Sequence, residues 1–266
     1  MGNVTVEPGR LLEFAEQLAD AAGEIITPYF RSATVAVDQK ADDSPVTIAD
    51  RETEQAMRAL IEKTFPEHGI EGEEFGAVRL DADYVWHLDP IDGTKSFITG
   101  RPLFGTLVSV ALHGRPVVGV IDHCILKERW TGGAGLPSLW NGETVSTRRC
   151  ERLEDAILYV TSPKMFKLPG EADAFGRVED AVALPLYGGD CYAYGQLAMG
   201  FADIIVEADL DTHDYLPLIP VIEGAGGIIT DWEGRALTPG SIGQVVVAGD
   251  PRVHADALKL LAITSN

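Results

Sequence analysis

The segment Tyr84–Thr94 constrains this chain more than any other. Its first part, Tyr84-Val85-Trp86-His87-Leu88, is an apolar run that reads as a buried strand. The next six residues, Asp89-Pro90-Ile91-Asp92-Gly93-Thr94, set two carboxylates three positions apart at the end of that run, followed by a glycine, a hydroxyl and a helix start. If Pro90 fixes a turn, Asp89, Asp92 and the Ile91 carbonyl can face a common centre. Such an oxygen set suits magnesium, which takes hard ligands and keeps several waters. Gly93 lets the backbone approach an anion, and a helix from Thr94 would aim N–H groups at a phosphate. Taken alone, the hexapeptide has a plainer reading, because Asp-Gly is common turn chemistry and Asp an ordinary helix cap.

Composition narrows what such a site could serve. At 266 residues and 45% apolar content the chain has material for one large domain or two packed subdomains. A formal net charge of -20 argues against nucleic-acid and anionic-membrane surfaces. The same charge opposes a phosphate ester unless bound cations invert the local field, which favours metals over an arginine clamp. Cys124, Cys150 and Cys191 have no metal-knuckle spacing and suggest no disulfide framework. No apolar run reaches the roughly 18 residues of a membrane span. The N-terminus lacks a secretory pattern, and Val6 stands where a myristoylation motif after Met1-Gly2 wants Ser or Thr. A soluble cytoplasmic protein with a small-molecule substrate, and no nucleic-acid or membrane partner, is expected.

Along the chain, apolar residues at helical spacing predict a long amphipathic helix from about Glu7 to Arg31. Ser44-Pro45 signals a loop, and a second helix is predicted from near Thr47 or Asp50 to before Pro66, with Glu52, Glu54 and Glu62 on a solvated face. Gly72-Glu73-Glu74-Phe75-Gly76 reads as a turn whose two acids could equally be solubilising charge. Gly105–Leu112 and Val117–Asp122 form a hairpin through His113-Gly114-Arg115-Pro116, and short strands continue through Arg129–Gly133 and Ser138–Ser146. From about Arg152 strands alternate with helices: strands at Ala156–Thr161, Ala181–Leu186, Ile204–Glu207 and Val245–Ala248, helices at Asp190–Met199, Tyr215–Ala225 and Val253–Leu261. That rhythm predicts a more parallel sheet in the second half.

The combination of Glu73-Glu74, Asp89-Pro90-Ile91-Asp92-Gly93-Thr94, and Asp214 followed by Glu223-Gly224-Ala225-Gly226-Gly227 resembles the three-part pattern of the inositol monophosphatase superfamily, over nearly the whole chain. The resemblance implies an α/β (α+β) fold, a layered α-β-α-β-α sandwich. It divides into an N-terminal α+β part, residues 1–143, and a C-terminal α/β part, residues 144–266, with the site between them. It makes Glu73, Asp89, Asp92 and Asp214 side-chain ligands of a cluster of about two to three Mg2+ ions, with the Ile91 carbonyl as a further ligand. Thr94 would position the attacking water and Asp50 would pair with that hydroxyl, so Thr94, Asp50 and Glu73 form the catalytic set. The Gly93 and Thr94 amides would hold phosphate oxygens, while Lys95 either assists them or faces solvent. A homodimer and inhibition by lithium are further implications of the resemblance.

For the substrate, the segments Gly188–Gly195, Val206–Leu210 and Asp214–Gly227 are most similar to the histidinol-phosphate phosphatases of the superfamily, with His213 where the inositol enzymes more often carry Trp and Gly224 where they usually carry Glu. Asp190 and Glu207 could meet the cationic groups of histidinol phosphate, with Asp214 beside them. Asp190 is also a plausible cap of the following helix. The expectation is therefore a magnesium-dependent histidinol-phosphatase in histidine biosynthesis. The alternatives are an inositol-1-phosphate or related sugar-phosphate phosphatase, and a metal-binding scaffold without turnover. His87, His113, His123 and His213 lack metal-ligand spacing and read as structural or solvated, and the four tryptophans read as packing residues. In the helix after Asp214, Pro217 is tolerated in the first turn if Asp214 is near the N-cap, whereas Pro220 predicts a kink or irregular first turn.

Overall fold

The computed structural model describes residues 6–32, 37–39 and 45–263. Ser44, predicted as part of a loop, lies outside the described residues. In chain order the elements of the first half are α1 (Pro8–Ile26), β1 (Val37–Gln39), β2 (Pro45–Thr47), α2 (Ile48–Thr64), β3 (Gly69–Gly72), β4 (Gly76–Val78), β5 (Tyr84–Asp92), α3 (Thr94–Ile98), β6 (Gly105–Leu112), β7 (Arg115–His123), β8 (Glu128–Gly133), β9 (Leu139–Trp140) and β10 (Glu143–Thr144). The second half adds β11 (Ile157–Val160), α4 (Glu171–Glu179), β12 (Leu184–Tyr187), α5 (Tyr192–Ala198), β13 (Ile204–Glu207), α6 (Thr212–Tyr215), α7 (Leu218–Gly224), β14 (Ile228–Thr230), β15 (Val245–Ala248) and α8 (Pro251–Leu261).

The helical spacing at the N-terminus produces α1, whose Leu11, Phe14, Ala15, Leu18, Ala22 and Ile26 form one buried stripe. It stops at Ile26, five residues before the predicted end, where Pro28 has no N–H to continue the helical hydrogen-bond ladder. Strands β10-β9-β8-β7-β6-β5-β3-β4 form an eight-stranded sheet, antiparallel except where β3 runs parallel to β5. The β6–β7 turn is His113-Gly114, both at positive φ, which matches the twist a two-residue hairpin turn needs.

The second sheet, β12-β11-β13-β15-β14, is mixed: β11 pairs in parallel with β12 and β13, while β15 pairs antiparallel with β13 and β14. The predicted strand at Ala181–Leu186 lies later in the chain, at Leu184–Tyr187, because Ala181 and Val182 pack into the outer core ahead of it.

Helices α1 and α2 cover one face of the large sheet, α5, α6 and α7 lie between the two sheets, and α8 covers the far face of the small one, with α4 packed on α8. The result is the layered α-β-α-β-α sandwich. Three apolar clusters fill the four spaces between layers, the middle one reaching both sheets around the central helices. Among the described residues no helix is long and apolar enough to cross a membrane.

Candidate functional site

Strand β5 is covered on both faces and buried over nearly its whole length, which is why its sequence is apolar without alternation. Pairing with β6 runs in register as far as Asp89 opposite Leu107, then resumes at Asp92 opposite Gly105. Three steps on β5 thus face two on β6, so one extra residue is inserted as a bulge. In a regular strand, residues three apart point to opposite faces. The bulge cancels that reversal, and the two carboxylates converge. This corrects the expected turn at Pro90: the segment stays in the strand, where a bulge tolerates a residue with no N–H to donate. Thr106 Oγ1 donates to the Pro90 carbonyl at 2.8 Å and secures the distortion.

Two other segments deliver acids to the same point. Glu73 follows the C-terminal end of β3, directly beside the C-terminal end of its parallel neighbour β5, and its N–H donates to the Leu88 carbonyl at 3.3 Å. Asp214 arrives from the opposite layer on α6, which packs on β5. It closes a reciprocal cap with Asp211, whose N–H donates to Asp214 Oδ2 at 2.7 Å. The helix predicted over Tyr215–Ala225 is two short ones, broken at Leu216-Pro217, while Pro220, expected to disturb it, lies within α7.

Ligand-capable atoms of Asp89, Asp92 and Asp214 lie within 4.8 Å of one another, as do those of Glu73, Asp89 and His213, and those of Asp50, Glu73 and Glu74. Burial, reinforced by the charges of Glu73, Asp92, Asp214 and Asp50, pushes the Asp89 carboxyl well above its ordinary range. Burial followed by the Asp190 and Asp214 charges raises Asp92, although the Cys191 N–H, 2.7 Å from its Oδ2, opposes this. Burial raises Asp214 as well, partly offset by His213.

Carboxylates crowded this closely repel unless a cation or shared protons intervene. Asp89 Oδ1 is buried with no hydrogen-bond partner among the described residues. The carboxylate oxygens of Asp89, Asp92 and Asp214, with an orphaned atom among them, fit a hard divalent cation such as magnesium.

The other predicted residues are distributed around this centre. Thr94 is half-buried, and its hydroxyl donates to the Ile91 carbonyl at 3.2 Å. Gly93 is at φ 80°, and a side chain there would collide with Asp190. Lys95 is exposed, with its charge felt by Asp190 rather than by the metal-type acids. Asp190 and Glu207 line one cavity together with Asp92, Thr161, Tyr194 and Asp214.

Both of those acids are already engaged by the protein. Asp190 accepts from Ser96 Oγ; Glu207 accepts from the Thr161 N–H at 2.9 Å and from Tyr194 Oη at 2.7 Å. Burial lifts Glu207 to about 7.

Sequence reasoning missed three features. His213, read as structural or solvated, belongs to two of the acid groups. Asp211 supports Asp214, which the Asp-x-x-Asp spacing ahead of a helix could have signalled. Glu54, assigned to a solvated face, is fully buried and accepts the N–H groups of Glu74 at 2.6 Å and Phe75 at 3.2 Å. Its i,i+4 spacing to Arg58 looks like a surface pair in sequence, and only the fold reveals the loop laid across it.

Comparison with known proteins supplies the remaining findings. The model of the inositol monophosphatase family matches residues 7–264. The bifunctional phosphatase IMPL2 of Arabidopsis thaliana is 51% identical over 264 residues, covering 96% of this chain and 76% of that protein. A solved inositol monophosphatase from Zymomonas mobilis superposes with a TM-score of 0.87 at 46% identity, covering 95% of this chain and 97% of its own. Histidinol-phosphatase of Chlorobaculum parvum is 33% identical, covering 92% of each chain. These figures correct the expectation that the chain is most similar to the histidinol-phosphatases, and with it the assignment of histidinol phosphate as substrate. The bulged strand, the converging acids and the match over residues 7–264 lead to one conclusion: the chain belongs to the inositol monophosphatase family.

Proposed function

We propose that the protein is a magnesium-dependent phosphomonoesterase acting on inositol 1-phosphate or a related sugar phosphate. The observation that carries this reading is the convergence of Glu73, Asp89, Asp92 and Asp214 from three separate segments, beside the Gly93-Thr94 turn. When bound, magnesium supplies Lewis acidity toward phosphate oxygens and lowers the pKa of a water.

In this reading the four carboxylates and the Ile91 carbonyl hold about two to three ions. The Gly93 and Thr94 amides, in the first turn of α3 where N–H groups lack helical partners, hold phosphate oxygens, with Lys95 adding positive charge at the rim. Thr94 and Asp50, with Glu73, orient the attacking water and accept its proton. Asp190, Glu207 and Asp214 face the alcohol portion of the substrate. A Glu207 carboxyl that sits near neutrality at physiological pH can both donate to and accept from hydroxyls, which suits a polyol better than a cation. The proposal includes a homodimer and a division of the chain at residues 143 and 144.

A phosphate-release assay across inositol 1-phosphate, fructose 1,6-bisphosphate and histidinol phosphate, with and without magnesium, tests it. Magnesium-dependent turnover with the highest kcat/KM on a polyol or sugar phosphate is the expected result. A preference for histidinol phosphate, or turnover indifferent to magnesium, would overturn the substrate or the metal assignment respectively.

A further inference from the structure

The buried pair Glu54 and Arg58 on α2 contributes no atom to the acid cluster, yet it grips the loop that carries Glu73. Glu54 is fully buried, and Arg58, one helical turn on, is nearly so, with its Nε 2.6 Å from Glu54 Oε1. The other Glu54 oxygen accepts from the Glu74 N–H at 2.6 Å, and Oε1 also accepts from the Phe75 N–H at 3.2 Å. Arg58 extends past Glu54 to donate to the Gly76 carbonyl. Arg51, on the same helix, lies over the Phe75 ring at 5.5 Å. The loop is thus tied to α2 at residues 74, 75 and 76. On its other side Glu73 is tied to β5 through the Leu88 carbonyl.

Gly72 records the closeness of the fit, because a Cβ there would overlap the Glu54 carboxylate. A charged pair buried this way is costly unless both ions are fully hydrogen-bonded. Here the acceptors and donors that satisfy it belong to the segment presenting Glu73.

We infer that Glu54, braced by Arg58, is a positioning residue for the metal centre. It fixes the backbone of residues 73–76 so that the Glu73 carboxylate is already directed at the point where Asp89 and Asp214 converge. The inference rests on the proposed magnesium site. The clamp acts on metal affinity, whereas substrate binding and the chemical step, once metal is saturating, depend on other residues. Removing a group that orients a metal ligand characteristically weakens metal binding by about 10–100-fold.

The test titrates magnesium into the full-length metal-free protein by calorimetry, without substrate, for wild type, Glu54→Gln, Arg58→Lys and Arg148→Met. The last breaks the Arg148–Asp203 ion pair beside the other sheet and controls for a general loss of stability. Glu54→Gln is expected to bind magnesium at least about 10-fold more weakly. In parallel activity assays its kcat and KM are expected to return to within about twofold of wild type once metal is saturating. Arg58→Lys, which keeps the charge but not the planar fork, should fall between. Arg148→Met should lower Tm with metal affinity unchanged. Wild-type magnesium affinity in Glu54→Gln, or a kcat loss that excess magnesium does not restore, overturns the inference. Should Glu54→Gln fail to fold, unchanged affinity in Arg58→Lys overturns it equally. Absence of magnesium binding to the wild type would instead remove the proposed metal site itself.

Discussion

Asp92 sits where every part of the site meets: it is half-buried, converges with Asp89 and Asp214, and accepts the Cys191 N–H from the opposite layer. Replacing it with Asn keeps the shape and the capacity to accept that hydrogen bond while removing a charge proposed to hold metal. Asp92→Asn should therefore lower kcat/KM by at least about 100-fold, the upper end of the loss seen when a group that merely orients a ligand is removed. Its circular dichroism should match wild type; full magnesium-dependent activity in this variant would remove Asp92 from the site. Glu207 makes a prediction of a different kind. Its folded pKa of about 7 lies above the ordinary 4.5, so the fold favours the protonated acid. The stability it contributes is fully present below about pH 4.5 and is lost as pH rises through 7. Thermal melts of Glu207→Gln should accordingly gain on wild type as pH increases from 5 to 8, and a difference that does not change with pH would contradict the assigned titration.

The elements place Asp214 by close backbone packing. Helix α7 lies across β7 and β8, where Gly119 and Gly132 leave room for the carbonyls of Pro217 and Pro220; a Cβ at either glycine would overlap them. Gly132→Ala should cost about 1–3 kcal/mol by overpacking, measured by urea denaturation. An unchanged midpoint would mean that α7 can withdraw freely. The same elements show what the sequence made legible. Helices α1 and α2, the β6–β7 hairpin and strands β13 and β15 follow directly from apolar periodicity, and the acids of the central motif stand out because charge at the end of a buried strand is conspicuous. The bulge in β5 was hidden, since it arises from pairing with β6 and Pro90 alone also permits a turn. Helix α4 was missed because it is short and its buried stripe is only Ala174, Phe175 and Val178 with Glu171. Glu54 was misread because an acid four residues before an arginine is, locally, a surface pattern; its burial comes from a loop twenty residues away.

At the scale of the whole molecule, the candidate centre is where the two halves of the chain share a charge problem. The large sheet contributes Glu73, Asp89 and Asp92, the helical layer between the sheets contributes Asp214, and the protein as a whole carries a net charge of -20. A divalent cation bound there stabilises the folded state over the unfolded one, by about 2.7 kcal/mol at a concentration 100 times its Kd. Magnesium should raise the Tm of wild type, and most of that rise should vanish in Asp214→Asn, whose lost carboxylate comes from the far layer. An equal rise in both would mean that the ions bind elsewhere on the acidic surface. The most direct measurement is anomalous diffraction from crystals of the protein soaked in manganese, a scattering substitute for magnesium. The account predicts peaks bounded by Glu73, Asp89, Asp92 and Asp214, within coordination distance of the Ile91 carbonyl. Density confined to other acidic surfaces, with this centre empty at saturating metal, would contradict it.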